Sequence, residues 1–340
     1  MEVKPMPVGI DSYCLVSQDL NSFEILQWTK ARGGAGVQFT ALPEYSEPGQ
    51  EIDLGFLREL GEFARAENMY IEWGRARHIP FDLSSGCWQP VLDSIITAVL
   101  EAKELGATVV RSCSGGLMRW HNRLPATEVM LEEMVEQLRQ AVPILQDHGV
   151  TLAIETHFEF TTFELLRVFE QVGVNPGEGL GICLDTMNLL TMLENPVWAT
   201  RRVLPWVVAT HAKDGCIRLH EEGFETFTTP IGRGSVDWQA IIPMLARLTP
   251  GVKLSIEDHG GSFVLPYFRS TFLSRFPDLT GQELASLQQL AMETEIRIQR
   301  GEVAPVERAN WSEICQVRVT ENIKNLKEIQ EQVLGATLPG

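Results

Sequence analysis

Eight short runs of apolar residues recur along the chain, and each is followed by a longer stretch with the periodicity of an amphipathic helix. Runs that alternate with helices in this way predict parallel βαβ units. Eight such units predict a sheet that closes into an α/β barrel, the (β/α)8 TIM barrel. The predicted strands lie at Val8–Tyr13, Ala35–Phe39, Met69–Trp73, Thr108–Ser112, Thr151–Glu155, Leu180–Leu184, Val207–His211 and Lys253–Glu257.

The intervening segments favour the same architecture. Leu54–Asn68, Pro90–Leu105 and Glu128–His148 carry apolar residues at spacings of three and four, and each ends at or beside a Gly or Asn. We therefore assign residues 1–275 to one barrel domain, a usual size for this architecture.

Two more amphipathic helices are predicted beyond the eighth strand, at Gln282–Gln299 and Trp311–Leu334. A minimal barrel does not need them. We assign residues 276–340 to a helical extension that packs on the barrel or on a neighbouring subunit, with a lid over the barrel as a further alternative.

The composition limits the classes of partner. A net charge of −17 argues against a surface that binds nucleic acid. No apolar run reaches the roughly 18 residues of a membrane span, and the first residues lack the apolar stretch of a signal peptide. We expect a cytoplasmic protein that binds neither nucleic acid nor membrane. The six cysteines show no CxxC spacing, and we expect them to be reduced.

The polar residues at the strand ends indicate the chemistry, because reactive groups of barrels stand at the C-terminal ends of the strands. The last four predicted strands end at or next to Glu155, Asp185, His211 and Glu257. A single carboxylate there is commonly a helix cap, but four donors on four successive strands predict a shared metal site. Three carboxylates and one imidazole favour Mn²⁺, with Mg²⁺, Co²⁺ or Fe²⁺ as alternatives, over zinc with soft ligands.

Residues two positions apart on a strand point the same way, so His157, Lys213 and His259 are expected to face the mouth of the barrel. We regard His157 and Lys213 as candidate catalytic residues and His259 as a candidate substrate contact. The alternatives are that each histidine is only hydrogen-bonded within its loop, and that Lys213 pairs with Asp214.

Further substrate contacts are predicted from the earlier strand ends and the loops. Glu72 and Arg111 end or nearly end their strands, Asn188 follows Asp185, and Trp120 stands beside His121 in a loop. For Trp120, packing in the core or at the rim of the barrel is the competing interpretation.

These strand ends, with the turns Leu184–Asn188 and His211–Asp214 and the stretch Ile231–Asp237, resemble the xylose isomerase-like superfamily of barrels. The resemblance covers residues 7–275. The superfamily includes sugar isomerases and epimerases, inosose dehydratases and endonuclease IV. Its ketose epimerases place two glutamates on opposite faces of the sugar, one to remove a proton and one to return it.

The resemblance implies that Glu155 and Glu257 are this pair. A cation that stabilises an enediolate oxygen makes a proton beside a carbonyl removable, and two opposed bases permit inversion. We therefore predict a metal-dependent carbohydrate isomerase or epimerase. Such epimerases often carry a histidine three places after the aspartate and an arginine soon after the histidine strand. Here Asn188 takes the first place, and the nearest arginine is Arg218.

The main alternative is a lyase that acts on 3-oxo-glycosides, because the chain also resembles the large subunits of C-glycoside deglycosidases. Proton removal beside the ketone would then expel the aglycone, with His157 or His259 as base or acid. The insertion Ala212–Pro230 would shape a glycoside pocket or contact a small second subunit. Otherwise we expect a small carbohydrate ligand and a homo-oligomer. A third alternative is a barrel retained as a sugar-binding or assembly subunit.

Overall fold

A computed structural model of the protein describes residues 4–46, 50–113, 116, 118–120, 125–249 and 251–335. Eight parallel strands form a closed barrel, and the last strand pairs with the first so that Val8 lies beside Leu254 and Ile10 beside Ile256. The predicted (β/α)8 fold is confirmed. The strands are β1 (Val8–Asp11), β2 (Gly36–Phe39), β3 (Tyr70–Ala76), β4 (Val109–Ser112), β5 (Thr151–Glu155), β6 (Leu180–Asp185), β7 (Val207–Ala212) and β8 (Leu254–Ile256).

The helices begin and end where local signals place them. Asn21 and Glu24 form a capping box at the start of the first helix, and Gly106 and Gly149 end two later helices with φ of 74° and 64°. None of the described helices is long and apolar enough to cross a membrane. The helices are α1 (Ser22–Ala31), α2 (Leu54–Ala66), α3 (Leu92–Leu105), α4 (Thr127–His148), α5 (Thr162–Val172), α6 (Asn188–Thr191), α7 (Pro196–Val203), α8 (Trp238–Leu248), α9 (Ser270–Leu273), α10 (Gly281–Gln299) and α11 (Trp311–Gly335).

The last helix, α11, completes the outer ring of the barrel. It packs against α8 and β1, the place that the helix after the eighth strand normally takes. Its Gln330 side chain accepts a hydrogen bond from the Met6 N–H (2.9 Å) and donates one to the Met6 carbonyl (3.2 Å). Both predicted C-terminal helices are therefore present and α11 lies on the barrel, while the domain boundary at residue 275 stays a prediction.

A three-stranded antiparallel sheet, here called the cap sheet, stands beyond the barrel. It consists of the hairpin strands Asp214–His220 and Gly223–Thr229, which follow β7, and the strand Ser262–Leu265, which follows β8. α10 packs against the first of these strands. Apolar side chains such as Phe224 and Leu287 form a second hydrophobic core around this sheet. The insertion predicted at Ala212–Pro230 is thus a folded hairpin that extends the C-terminal end of the barrel.

The main core lies between the barrel strands and the surrounding helices, whereas part of the barrel interior is polar. Trp73 is fully buried, and its indole N–H donates to Glu101 Oε2 at 2.9 Å. Inside the barrel, Gln38, Glu72 and Ser255 are buried and hydrogen-bonded to one another. Both bonds end on Glu72 Oε2, whereas Oε1 has no hydrogen-bond partner among the described residues and lies 3.9 Å from Lys253 Nζ.

Candidate active site

The four predicted metal ligands converge at the C-terminal end of the barrel. Glu155 ends β5, Asp185 ends β6, His211 lies near the end of β7 and Glu257 directly follows β8. All four side chains are buried, and one donor atom of each lies within 4.8 Å of the other three. His211 Nδ1 is 3.2 Å from Glu155 Oε1 and 3.7 Å from Glu257 Oε1. The sequence therefore brings the expected donors to one point.

The hydrogen bonds of the two Asp185 oxygens indicate whether this donor set fits a cation. Its Oδ1 accepts hydrogen bonds from the backbone N–H groups of Met187 (2.9 Å) and Asn188 (2.8 Å). Its Oδ2 is buried and has no hydrogen-bond partner among the described residues, with Lys213 Nζ at 3.5 Å. Burial raises the pKa of Asp185 to about 6. A buried oxygen of this kind is costly without a partner, and a hard or borderline divalent ion would supply one.

Each of the two glutamates has one carboxylate oxygen near His211 and the other oxygen bonded to a cationic side chain. Glu155 Oε2 accepts from Arg111 Nη1 (3.2 Å), and Glu257 Oε2 accepts from Lys213 Nζ (2.7 Å). Burial alone would raise the pKa of each carboxyl. His211 and Arg111 nevertheless lower the pKa of Glu155 to about 2, and Lys213 and His211 hold the pKa of Glu257 well below its usual range. Both side chains are ionised, as metal ligands must be.

A hydrogen-bond relay orients His211 from below. His211 Nε2–H donates to Gln38 Oε1 (2.6 Å), and Gln38 Nε2 donates to Glu72 Oε2 (2.9 Å). Burial alone would lower the pKa of His211, but Glu155 and Glu257 raise it well above its usual range, so Nδ1 carries a proton that faces these carboxylates. A bound ion would take the place of this proton, and metal-binding histidines commonly hydrogen-bond through their second nitrogen in this way. Glu72 was predicted to contact the substrate, but it lies in the barrel interior, where burial raises its pKa. It therefore supports Gln38 instead.

Lys213 lies at the centre of the mouth. Its Nζ reaches Glu257 Oε2 and also lies 3.2 Å from His259 Nε2. His259 Nδ1–H donates to the Gly260 carbonyl (3.0 Å), and burial together with Lys213 lowers the pKa of His259 to about 3. His259 is therefore neutral and accepts from Lys213, which holds the ammonium against Glu257.

The alternative pairing of Lys213 with Asp214 is wrong. The Asp214 carboxylate points to the other side, where it accepts backbone N–H groups of Gly232 (2.8 Å), Gly234 (3.1 Å) and Val236 (3.2 Å). A Cβ atom at Gly234 would lie 1.9 Å from Asp214 Oδ1, so this position requires glycine. The glycine-containing stretch singled out in the sequence thus wraps around a buried carboxylate.

His157 lies beside the four predicted metal ligands, here called the quartet, and is protonated. Burial alone would lower its pKa, but the Glu159 carboxylate, 3.0 Å from Nδ1, outweighs this effect and raises the pKa to about 9. The ring packs on Phe158 and lies close to Glu155. At neutral pH His157 is therefore a proton donor and not a base.

Two of the four predicted metal ligands, Glu155 and Glu257, line a pocket of about 340 Å³. This volume is near the lower end of the roughly 300–1,000 Å³ usual for ligand sites, which suits a ligand of monosaccharide size. The predicted residues that line it are Glu155, Glu257, His157, Lys213, Arg111 and His259. Sequence reasoning missed other lining residues, among them Tyr13, Thr40, Phe263 and Arg308.

The family model described as "Xylose isomerase-like TIM barrel" matches residues 26–290. The chain belongs to this family. One curated relative is the 3-oxo-isoapionate decarboxylase of Pectobacterium atrosepticum, 29% identical over 113 residues. That match spans 32% of this chain and only 40% of the relative.

Solved structures show the same fold. An L-ribulose 3-epimerase superposes with a TM-score of 0.59 and 16% identity, over 98% of this chain and 100% of that one. A xylose isomerase-like TIM barrel protein from Mycobacterium smegmatis, in complex with magnesium, superposes with a TM-score of 0.57 and 16% identity. The match covers 84% of this chain and 99% of that one. The fold of this xylose isomerase-like barrel is thus the one used by sugar epimerases.

Two predicted substrate contacts do not line the pocket of this family member. The Trp120 indole N–H donates to the Val264 carbonyl (2.9 Å), and its ring packs against Phe272 in the core of the cap sheet. Asn188 is buried and donates its backbone N–H to Asp185. Its backbone therefore helps to orient Asp185, a predicted metal ligand, while its side-chain Nδ2 has no hydrogen-bond partner among the described residues. His121 lies outside the described residues.

Proposed function

We propose that this barrel is a carbohydrate isomerase or epimerase that depends on a divalent metal, Mn²⁺ first, and removes a proton next to a carbonyl through an enediolate. One observation carries the proposal: Glu155, Asp185, His211 and Glu257 converge, and a buried Asp185 oxygen lacks a hydrogen-bond partner among the described residues. These residues would hold the ion. A bound divalent ion polarises substrate oxygens and acidifies the neighbouring carbon.

The two glutamates are the candidate acid and base. They come from β5 and from the end of β8, with β6 and β7 between them, so they approach a bound sugar from different sides. Arg111 and Lys213 hydrogen-bond to the two carboxylates and hold them in place. One glutamate, as the carboxylate, would take the proton from one face of the sugar carbon, and the other, protonated from solvent, would return a proton to the opposite face. The protonated His157 would donate to a substrate oxygen.

The test is solvent deuterium exchange in the Mn²⁺-loaded protein, with D-fructose, D-tagatose and L-ribulose as probes. We expect deuterium at the carbon beside the carbonyl, and loss of exchange in Glu155→Gln and Glu257→Gln. Glu62→Gln on the exposed face of α2 is the control and should exchange normally. Full metal occupancy without exchange into any ketose, neutral or acidic, would contradict the proposal.

A lyase is the second candidate, because the curated relative is named a decarboxylase of a 3-oxo compound. Removal of a group beside a ketone passes through the same kind of enediolate. Incubation with a 3-oxo-glucoside of a phenol separates the two candidates, because only a lyase releases the phenol. If the protein is an isomerase or epimerase, we propose that it is a cytoplasmic homo-oligomer. If it is a lyase, we propose that it forms a complex with a small second subunit. A pure sugar-binding module would keep its ligand affinity in Glu155→Gln and show no catalysis.

A further inference from the structure

Arg308 lines the pocket, and none of the described acidic side chains forms an ion pair with it. Its guanidinium donates to the Tyr13 hydroxyl and lies over the Tyr13 ring, 5.6 Å from the centroid. No carboxylate oxygen of the described residues lies within ion-pair distance of it, whereas Arg111 and Lys213 are each paired with a glutamate. In a chain with 45 acidic and 28 basic side chains, an uncompensated cation in a pocket is a specific feature.

The backbone on either side of Arg308 is anchored, so its place in the pocket wall is fixed. The Gly261 N–H donates to the Val306 carbonyl (2.8 Å), which ties the segment to the loop after β8. Trp311 is buried, and its indole N–H donates to the Cys14 carbonyl (2.9 Å). Gly260, with φ of 66°, lets this loop pass close to the segment, since a Cβ there would lie 3.3 Å from the Val306 oxygen.

The charges of the metal-loaded site balance without Arg308. Arg111, Lys213 and a divalent ion together carry four positive charges, and the His157–Glu159 pair is neutral. Four carboxylates oppose them: Asp11, Glu155, Asp185 and Glu257. Arg308 is therefore one positive charge in excess at the mouth of the pocket. A neutral sugar would leave it without a counter-ion.

We propose that the pocket binds a sugar acid, whose carboxylate pairs with Arg308 while its carbonyl and hydroxyl oxygens lie at the four-donor site. This inference rests on the proposed function and names its substrate class. The planar guanidinium matches a carboxylate in a bidentate pair. Because Arg308 and the two glutamates line the same pocket of about 340 Å³, a single small ligand can reach both.

The experiment compares two matched pairs of ketoses, D-fructuronate with D-fructose and D-tagaturonate with D-tagatose. Each pair differs only in a terminal carboxylate that replaces a hydroxymethyl group. Calorimetric titration of the Mn²⁺-loaded protein should give a Kd roughly two- to fivefold lower for the acid, the range of a solvent-exposed ion pair. The preference should weaken with added KCl because Arg308 is exposed.

Three variants assign the preference to Arg308. Arg308→Gln should bind acid and neutral sugar equally, and Arg308→Lys should keep part of the preference because the charge remains. The control Arg300→Gln, an exposed arginine at the end of α10 that does not line the pocket, should behave as wild type. Equal binding of acid and neutral sugar by wild type, no binding of the acid, or an unchanged preference in Arg308→Gln would each overturn the inference.

Deuterium exchange keeps this inference separable from the proposed function. If the wild type exchanges deuterium into D-fructose and Glu155→Gln does not, the proposed function stands even when the acid shows no advantage. If the acid binds through Arg308 but no ketose exchanges, the binding inference stands and the isomerase proposal fails.

Discussion

Replacing Asp185 with asparagine should make the metal-free protein more stable and the metal-loaded protein less stable than wild type. The amide oxygen of asparagine can still accept the backbone N–H groups of Met187 and Asn188, which now bond Oδ1 at 2.9 and 2.8 Å. The substitution removes the charge on Oδ2, which has no hydrogen-bond partner among the described residues. It also removes one of the proposed metal ligands.

The structure sets the size of both effects. Burial raises the pKa of Asp185 from 3.8 to about 6. A carboxyl with a raised pKa stabilises the fold below its unfolded pKa, and this contribution is lost as the pH rises through 6. Two pKa units correspond to about 3 kcal/mol at pH 8, which asparagine recovers. Mn²⁺ at a thousand times its Kd stabilises the wild type by about 4 kcal/mol. The order of stability should therefore reverse when metal is added.

Thermal denaturation at pH 8, in EDTA and in Mn²⁺, measures the reversal. Asp53→Asn is the control, because Asp53 caps α2 through the Gly55 N–H (2.7 Å) and asparagine caps a helix equally well. This control should gain as much from Mn²⁺ as wild type does. The reasoning is refuted if Asp185→Asn gains as much from Mn²⁺ as wild type, or if it is the less stable protein in EDTA.

Three further predictions concern the surroundings of the quartet. Gln38→Leu removes the nearer acceptor of the His211 Nε2–H and leaves Asp11 Oδ2 at 3.4 Å, so it should weaken Mn²⁺ binding roughly tenfold in a chelator competition. Gly234→Ala places a Cβ 1.9 Å from Asp214 Oδ1, so the loop must move and the thermal midpoint should fall. His157 has a pKa of about 9, so the rate should decline as the pH rises through 9, and His157→Gln should remove this limb of the profile.

Each of these has a matched control. Glu72→Gln keeps an oxygen that accepts from Gln38 and should leave Mn²⁺ affinity almost unchanged, so an equal loss in both variants would contradict the relay. Gly281→Ala, where a Cβ meets nothing within 4 Å, should leave the midpoint in place. His148→Gln at the end of α4 should keep the alkaline limb. If that alkaline limb persists in His157→Gln, His157 is not the group whose titration lowers the rate.

The barrel was predictable because each strand is a buried apolar run that ends at a turn before the next helix. The cap sheet was not, because its hairpin strands are rich in polar residues, as in Thr226–Thr229, and pair only after β7 and β8 have brought them together. The position of α11 on the barrel could not be predicted from the sequence either. It takes the position of the eighth barrel helix although α9 and α10 separate it from β8 along the chain.

The metal quartet was predictable because barrel closure brings successive strand ends to one rim. How far below the rim of the barrel a residue lies is harder to infer from the sequence, as Glu72 shows. The predicted strand ended at Trp73, whereas β3 continues to Ala76, so Glu72 lies below the rim. Nothing in the sequence indicated that Arg308 lines the pocket, because only the packing of α11 brings it there. Gln38 looked like an ordinary polar residue between two apolar neighbours.

The contact between α11 and β1 has a consequence for how the chain folds during synthesis. Met6 and Gln330 are 324 positions apart, so one side of β1 remains uncovered until the 25 residues of α11 have left the ribosome. Contacts between such distant segments form late in folding. A nascent chain that stops before Trp311 would lack this cover and would expose apolar surface to chaperones. Such a fragment could not hold Arg308 in place, so the molecule acquires its complete pocket wall only in its final stage of folding.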